Sequence, residues 1–505
     1  MSLGPAVVAA LCLLPVLTAP VLPLVDFYAH ALRYAILADA GRDPWLAENY
    51  RAAWALLPNL GLDVLGAAIG RVLPPLAAAE VLACLVILAP FAGVLVLARA
   101  LHGRVGALSV ALAGILSHSF ILGWGFANFL LGLGLALAAT GLWIMDRPHP
   151  RRQLATAMAA GIVIFLTHGF VFALWGLVLA CVELAEAVAE HPRAALRRLV
   201  RLLPVAVPPA LLFLASATAG GEGGATGTFD HIASHVERGS LGGRLLEELG
   251  FRADAALRVA ESGWPMLDRI FGIVLWGLLG TGLLTGRLRL DPRLRSAVAL
   301  AVVLALAVPP SLFGVGHLPE RLPLVLLALL AAGLAPAAGG KRLAQGLVVL
   351  LPVHLLMVTL AWAGSGRDYR AFLAAADLLP PRLLAAPVFA GPGGDRDAGR
   401  TCKPLSFLLG LDRQVAVPTF ANPTQQPLRI VGPLANAMAA ADARTALTAA
   451  AEEEPKAEEA VQGLFAAGFD LVVLCHAGDT PAGAVAGAHI VASGRTWTLY
   501  QSARD

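Results

Sequence analysis

The sequence predicts an α-helical polytopic membrane protein with about eleven transmembrane helices and a small C-terminal α/β domain outside the membrane. Three observations predict it. Of the 505 residues, 58% are hydrophobic and 14% are charged, in long apolar runs without a polar face; such runs suit a bilayer and not a soluble core. The basic residues gather in short clusters between those runs, as the asymmetry of cytoplasmic loops requires. Beyond Gly364 the composition turns to alternating and amphipathic segments with ordinary loops. The domain organisation is therefore 1–364 for the membrane part and 365–505 for a soluble part. The formal charge of +3 is too small to argue for nucleic acid.

Pro5 to Leu24 is apolar and has no small-residue cleavage site before Asp26, so it reads as a retained first span rather than a signal peptide. Residues 26–75 follow as a polar outer loop with Trp45, Tyr50 and Trp54, aromatics of the interfacial kind. Leu76 to Ala100 is the second span and ends at Arg99, His102 and Arg104. Val105 to Met145 is too long for one span and is interrupted at Ser117-His118-Ser119 and Gly123-Trp124-Gly125; Leu154 to Val188 is interrupted at Thr167-His168-Gly169. Read as two hairpins that turn outside, they leave the arginines of 146–152 and 192–201 on the cytoplasmic side, and they put His118 and His168 outside with Asp26. Leu202 to Ala219, an outer loop over 220–268, Ile270 to Gly286, Ala297 to Val315, Pro323 to Ala338 and Leu347 to Ala363 complete the series, with Arg287 to Arg295 and Lys341-Arg342 inside. The N-terminus then lies in the cytoplasm.

In the tail, Gln414 to Phe420 and Phe469 to Cys475 read as strands, Pro455 to Ala467 as a helix closed by Gly468, and Ala488 to Ser502 as a hairpin turning at Ser493-Gly494-Arg495. Gly391 to Arg400 is a surface loop and Glu452-Glu453-Glu454 a solvated helix start. The five cysteines have no metal-ligand spacing; Cys12, Cys84 and Cys181 lie in apolar runs, whereas Cys402 and Cys475 share the outer domain. Those two are either a disulfide or two unrelated thiols.

The site is expected where the first span ends. Asp26, His30 and Arg33 stand at i, i+4 and i+7, one face of a helix. Glu48 and Asp63 in the same loop, His118 and His168 at the hairpin tips, and His317, Glu320 and Arg321 in the tight loop after the ninth span add polar groups on the same side. Ionisable groups at membrane depth cost ~2.5–3.5 kcal/mol each on insertion scales, so their convergence points to a cavity. The plainer readings stand beside this one: Asp26 as a helix N-cap, each histidine as a solvated tip, and Glu320-Arg321 as a local ion pair.

The polar first outer loop whose acidic residue directly follows span one, the short broken spans and the soluble outer tail together resemble the glycosyltransferase C superfamily of oligosaccharyltransferases and lipid-linked mannosyl-, arabinosyl- and aminoarabinosyltransferases. The stretch Trp54-Ala-Leu-Leu-Pro-Asn-Leu-Gly-Leu-Asp63 is similar to a pattern in bacterial membrane proteins of that layout. The resemblance implies an enzyme of a bacterial plasma membrane that moves a hexosyl or pentosyl group from a polyprenyl-phosphate donor to a glycan, lipid or protein acceptor outside. It implies inversion at the sugar, with Asp26 as general base on the acceptor hydroxyl and Arg33 or Arg321 as cation for the departing phosphate. Family members often carry two adjacent acidic residues in that loop, whereas Phe27 follows Asp26 here, so no obligatory cofactor is expected and a divalent metal is not required. The rival readings are a transporter or flippase, whose binding groups would lie near the midplane in repeated halves, and a membrane scaffold with an outer sensory domain.

Overall fold

The structure, a computed structural model, describes residues 4–19, 21–190, 192–219, 241–312, 315–389, 398–413, 415–421, 425–449, 457–476 and 484–503. Residues 220–240 of the expected outer loop, most of the Gly391 to Arg400 loop, and Glu452-Glu453-Glu454 lie outside them. The chain forms two compact units. The first comprises 1–15, 56–61 and 84–361; the second comprises 16–55, 62–83 and 362–505. The loop that follows the first helix thus folds largely with the tail.

The helices run in chain order as α1 (Pro5–Thr18), α2 (Phe27–Asp39), α3 (Pro44–Asn49), α4 (Gly61–Gly70), α5 (Pro75–His102), α6 (Ala107–Leu116), α7 (Phe120–Gly123), α8 (Ala127–Met145), α9 (Pro150–Thr167), α10 (Gly169–Glu190), α11 (Pro192–Val200) and α12 (Leu203–Ala219). They continue as α13 (Leu241–Leu257), α14 (Pro265–Leu284), α15 (Arg295–Ala307), α16 (Leu318–Gly333), α17 (Lys341–Ala376), α18 (Ala398–Arg413), α19 (Gly432–Ala449) and α20 (Ala457–Ala467). Among the described residues five stretches are long and apolar enough to cross a membrane: α5, α8, Gly169–Ala187 within α10, α14 and α17. Helices such as α6, at 10 residues, rise only about 15 Å, half a hydrocarbon core.

In the first unit the interruptions in the apolar runs are real helix ends. The run after Val105 stops at Leu116, and the backbone groups freed there pair with a distant segment: Ser119 bridges Ala260, and Glu261 N donates to His118 O at 3.1 Å. Ser119 then caps α7 by accepting from Leu122 N. At Thr167 the chain leaves α9, passes through an extended His168 at φ −163° and re-enters a helix at Gly169. Two small residues let α5 and α8 approach backbone to backbone, since a Cβ at Gly93 would overlap Gly134 O and one at Gly134 would overlap Ala89 O. The described part of the segment 220–268 includes α13, whose buried Arg252 donates to Ala305 O and Val308 O, both at 2.7 Å, and so satisfies the open carbonyls at the end of α15.

The first unit holds one short antiparallel pair, β2 (Leu288–Leu290) with β3 (Leu334–Pro336), and in the second unit a four-stranded sheet has the order β4 (Ala385–Phe389), β6 (Leu471–Cys475), β8 (Trp497–Ser502), β7 (Ala488–Ser493), with β4 and β6 parallel and the other pairs antiparallel. All five residues of β6 are buried. Val472 and Leu474 join Val461 and Phe465 of α20, whereas Cys475 is bonded to Cys402 of α18, so the alternation of the strand places these helices on opposite faces. The loop after α1 is knitted to the tail by an antiparallel pair of β1 (Tyr50–Ala52) and β5 (Leu428–Ile430) and by Asn49, whose Oδ1 accepts from Leu434 N at 3.0 Å. Gly432, at φ +57°, passes so close to Glu48 O that a Cβ would overlap it.

Of the strand expected over Gln414 to Phe420, Gln414 lies outside the described residues, and 415–420 is corrected to a segment with one isolated bridge, Ala416 to Leu384. Its polar groups are used by side chains instead. The Tyr50 phenol accepts from Val417 N at 2.7 Å and donates to Val417 O at 2.8 Å, Thr419 Oγ1 donates to Ala29 O at 2.7 Å, and Pro418 has no N–H to give a ladder.

Candidate functional site

The second unit builds its polar cluster on α2. Asp26 occupies the N-cap position at φ −95° and ψ −6°, yet its side chain makes no capping bond. The carboxylate, buried at 8% residue exposure, instead faces the Lys403 ammonium of α18 at 3.0 Å from Oδ1. His30, one turn on, packs at a 40° tilt against Phe420 with ring centroids 4.9 Å apart, and its Nδ1 makes no hydrogen bond. Burial, with the Arg33 and Lys403 charges nearby, holds the His30 imidazole well below its ordinary 6.5, so the ring is neutral.

Arg33 does not turn toward Asp26. Its Nε donates to Asp63 Oδ1 at 2.6 Å and its Nη2 to Oδ2 at 3.3 Å, while Nη1 reaches Phe420 O at 3.5 Å. Both partners are buried, at 1% and 0%. Burial pushes the Asp63 carboxyl up and the Arg33 guanidinium pulls against it. The bidentate fork consumes the guanidinium, so Arg33 and Asp63 form an internal pair that fastens α4 to α2. Glu48, at the exposed end of α3, contributes a backbone carbonyl against Gly432 and leaves its side chain in solvent.

In the first unit the structure brings together His168, His317, Glu320 and Arg321. The buried Arg321 donates through Nη1 to His168 Nε2 at 3.1 Å and stacks over Phe126 and Phe129 at 4.4 and 4.9 Å. Because a guanidinium only donates, His168 Nε2 is the acceptor and the proton sits on Nδ1, which has no hydrogen bond. His317 Nδ1 lies 3.2 Å from Glu320 Oε1, and its ring lies 4.6 Å from that of Trp124. His317 holds a left-handed backbone at φ +57°, a strained conformation for a residue with a side chain. Three buried polar atoms of this cluster, His168 Nδ1, Glu320 Oε2 and Arg321 Nε, make no hydrogen bond. Such atoms are rare in folded interiors and mark places suited to a polar ligand.

His118 belongs to a different neighbourhood. Its carbonyl accepts from Glu261 N and from His354 Nε2, both at 3.1 Å, and its ring packs edge-on to His354. Sequence reasoning missed His354, although a lone ionisable residue in the Leu347 to Ala363 run was a visible signal. It also missed Lys403, Trp124 and Phe126 as partners. Lys403 carried one hint only, its place next to a cysteine of the outer domain. Among the described residues no group of three His, Cys, Asp or Glu is arranged to hold a metal ion.

The fold is shared with the crystal structure of ArnT from Cupriavidus metallidurans bound to undecaprenyl phosphate. The TM-score is 0.51 at 15% sequence identity, over 98% of this chain and 96% of that one. The apo state of the same protein gives 0.49 at 15% identity over the same shares of each chain. The Archaeoglobus fulgidus oligosaccharyltransferase in complex with Zn and sulfate gives 0.42 at 14% identity, over 93% of this chain and 67% of that one. The last two scores carry no weight of their own. No protein-family model matches the sequence, and no curated protein matches it. At such identities the likeness is one of fold.

Proposed function

We propose that this chain is a membrane glycosyltransferase that moves a sugar, with inversion, from a polyprenyl-phosphate donor to an acceptor hydroxyl outside the plasma membrane, with Asp26 as the general base. The observation that carries the reading is the Asp26 carboxylate. It stands at a helix N-cap without capping, is buried, and is held by a cation. A purely structural aspartate would use that position to satisfy the first backbone N–H groups of α2. The shared fold supports the donor class, because the solved ArnT complex holds undecaprenyl phosphate.

In the reaction Asp26 takes the proton of the acceptor hydroxyl as its oxygen bonds to the anomeric carbon. The bond from that carbon to the phosphate oxygen breaks, and polyprenyl phosphate leaves with the electron pair. Separately, in the first unit, Arg321 with its unsatisfied Nε and the adjoining His168 Nδ1 has donors that would suit a phosphate oxygen. His317 and Glu320 border it, and His30 remains a neutral neighbour of the base. The reading includes about eleven spans, with the short helices completing the series. It also includes an outer α/β tail, a cytoplasmic N-terminus and no step through a metal.

The test is transfer of radiolabelled sugar from a polyprenyl-phosphate donor by the purified protein. Asp26→Asn should lower turnover ~10²- to 10⁴-fold while the protein stays folded and inserted. Transfer at the wild-type rate would remove Asp26 from the chemistry and leave Glu320 as the next carboxylate to examine.

A further inference from the structure

Lys403 belongs to no motif, and it meets Asp26 from the far end of the chain. Its Nζ lies 3.0 Å from Asp26 Oδ1, with the lysine side chain at 27% exposure and the aspartate at 11%. An ammonium on a four-carbon stem is a mobile charge that takes a defined place only when its backbone is fixed. Here two contacts fix it. Cys402, immediately before Lys403 and fully buried, is joined to Cys475 at the end of the buried strand β6, with the two Cα atoms 5.6 Å apart. Two turns further along α18, Gly410 packs so tightly on α2 that a Cβ would stand 2.8 Å from Leu32 Cδ2. The helix is thus tied covalently to the sheet and pressed against the helix that Asp26 begins.

We propose that Lys403 is a positioning residue that holds the Asp26 carboxylate by one oxygen, and that the Cys402–Cys475 bridge sets the reach of Lys403, so that turnover depends on the bridge being intact. The inference rests on the reading of Asp26 as the base. A positive partner orients the carboxylate. Arg33 is paired with Asp63, and Lys403 is a cation that meets Asp26. Reduction by a dithiol breaks the S–S bond; two electrons and two protons end on the Cys402 and Cys475 thiols, and the dithiol becomes a disulfide. The first turn of α18 then loses its tether, and Lys403 its fixed reach.

The experiment compares Lys403→Met, Lys403→Arg and dithiol-treated wild type in the sugar-transfer assay and by infrared difference spectroscopy, with Asp26→Asn assigning the Asp26 carboxylate band. Lys403→Met should lower kcat ~10- to 100-fold with KM for the acceptor little changed, and Lys403→Arg should recover most of the loss. The Asp26 band should shift in Lys403→Met and in the reduced wild type, and reduction should slow the wild type but not Lys403→Met. An unmoved band together with an unchanged kcat in Lys403→Met overturns the proposal. So does a loss of kcat that Lys403→Arg fails to restore. Full activity after complete reduction overturns the role of the bridge. A wild type with no transfer activity would fail the catalytic reading instead, and the infrared band would still decide whether Lys403 holds Asp26.

Discussion

Asp26 stands where a helix cap belongs and turns its carboxylate to a lysine instead. The position was legible because a carboxylate directly after an apolar run is costly. The partner was not, because no local pattern links residues from opposite ends of a chain. Arg33 shows the converse. Its i+7 spacing from Asp26 suggested convergence, but the guanidinium found a carboxylate with two oxygens to match its fork, and the face of the helix was divided between two anions. Breaking a buried pair from one side strands a charge, so Asp63→Leu or Arg33→Met alone should cost ~3–5 kcal/mol of stability, and the double variant much less than the sum. Thermal unfolding of the purified proteins in detergent checks this, and additive losses would show that the two groups are not coupled. His30 gives a pH signature. Its folded-state pKa lies below its ordinary 6.5, so the unfolded chain binds the extra proton first as pH falls. The protein should therefore lose stability below about pH 6.5, by at most ~1.4 kcal/mol per pH unit from this group, and be unaffected by it above. In His30→Phe, which keeps a ring packed against Phe420, that acid-side slope should flatten.

At the scale of elements, the sequence marked helix ends better than helix partners. Ser119 and His168 interrupt apolar runs, and the chain does leave its helices there, because local turn chemistry decides such points. Gln414 to Phe420 misled because its alternation matched a strand while Pro418 and the Tyr50 phenol took its backbone groups out of any ladder. Close packing was not visible, since a glycine in an apolar run looks the same at a helix crossing and on an open face. The structure tells them apart. Gly93 and Gly134 touch backbone across the α5–α8 crossing, whereas Gly280 of α14 has nothing within 4 Å of a Cβ. Gly134→Ala should destabilise by ~1–3 kcal/mol through overpacking, and Gly280→Ala should be neutral or stabilising by up to ~1 kcal/mol through helix propensity. Equal effects in thermal unfolding would contradict the crossing. The bridge from Cys402 to Cys475 closes 73 residues of chain. On the chain-entropy account the double serine variant should lose ~4 kcal/mol, measured as a lower midpoint in denaturant for the variant than for the oxidised wild type.

At the scale of the whole molecule, charge supplied an argument that hydropathy could not. The clusters 146–152 and 192–201 were assigned to one side because arginines stay in the cytoplasm, and the assignment required two broken runs to be hairpins. In the first unit the two clusters meet on one carboxylate. Glu183 of α10 accepts from Arg147 Nη2 at 3.2 Å, from Arg198 Nη1 at 2.9 Å and from Trp143 Nε1 at 2.8 Å. A third basic segment ends nearby in the chain's spatial order: Arg293 Nη2 donates to Leu101 O at 2.6 Å, and Ser296 Oγ to Cys181 O at 3.1 Å on the same α10. The two arginine clusters are thus neighbours within the first unit through the buried Glu183. The side itself remains a prediction. Single cysteines introduced at Arg151, Arg197 and Arg289 in a cysteine-free variant should be shielded from a membrane-impermeant maleimide in intact cells and label only after permeabilisation. Cysteines at Arg51 and Arg495 should label without it. Labelling of position 197 together with 495 in intact cells would break the hairpin topology and remove the outer placement of His168. Labelling of 151, 197 and 289 with 51 and 495 shielded would keep the hairpins but invert the protein, and so place its sugar chemistry on the cytoplasmic face.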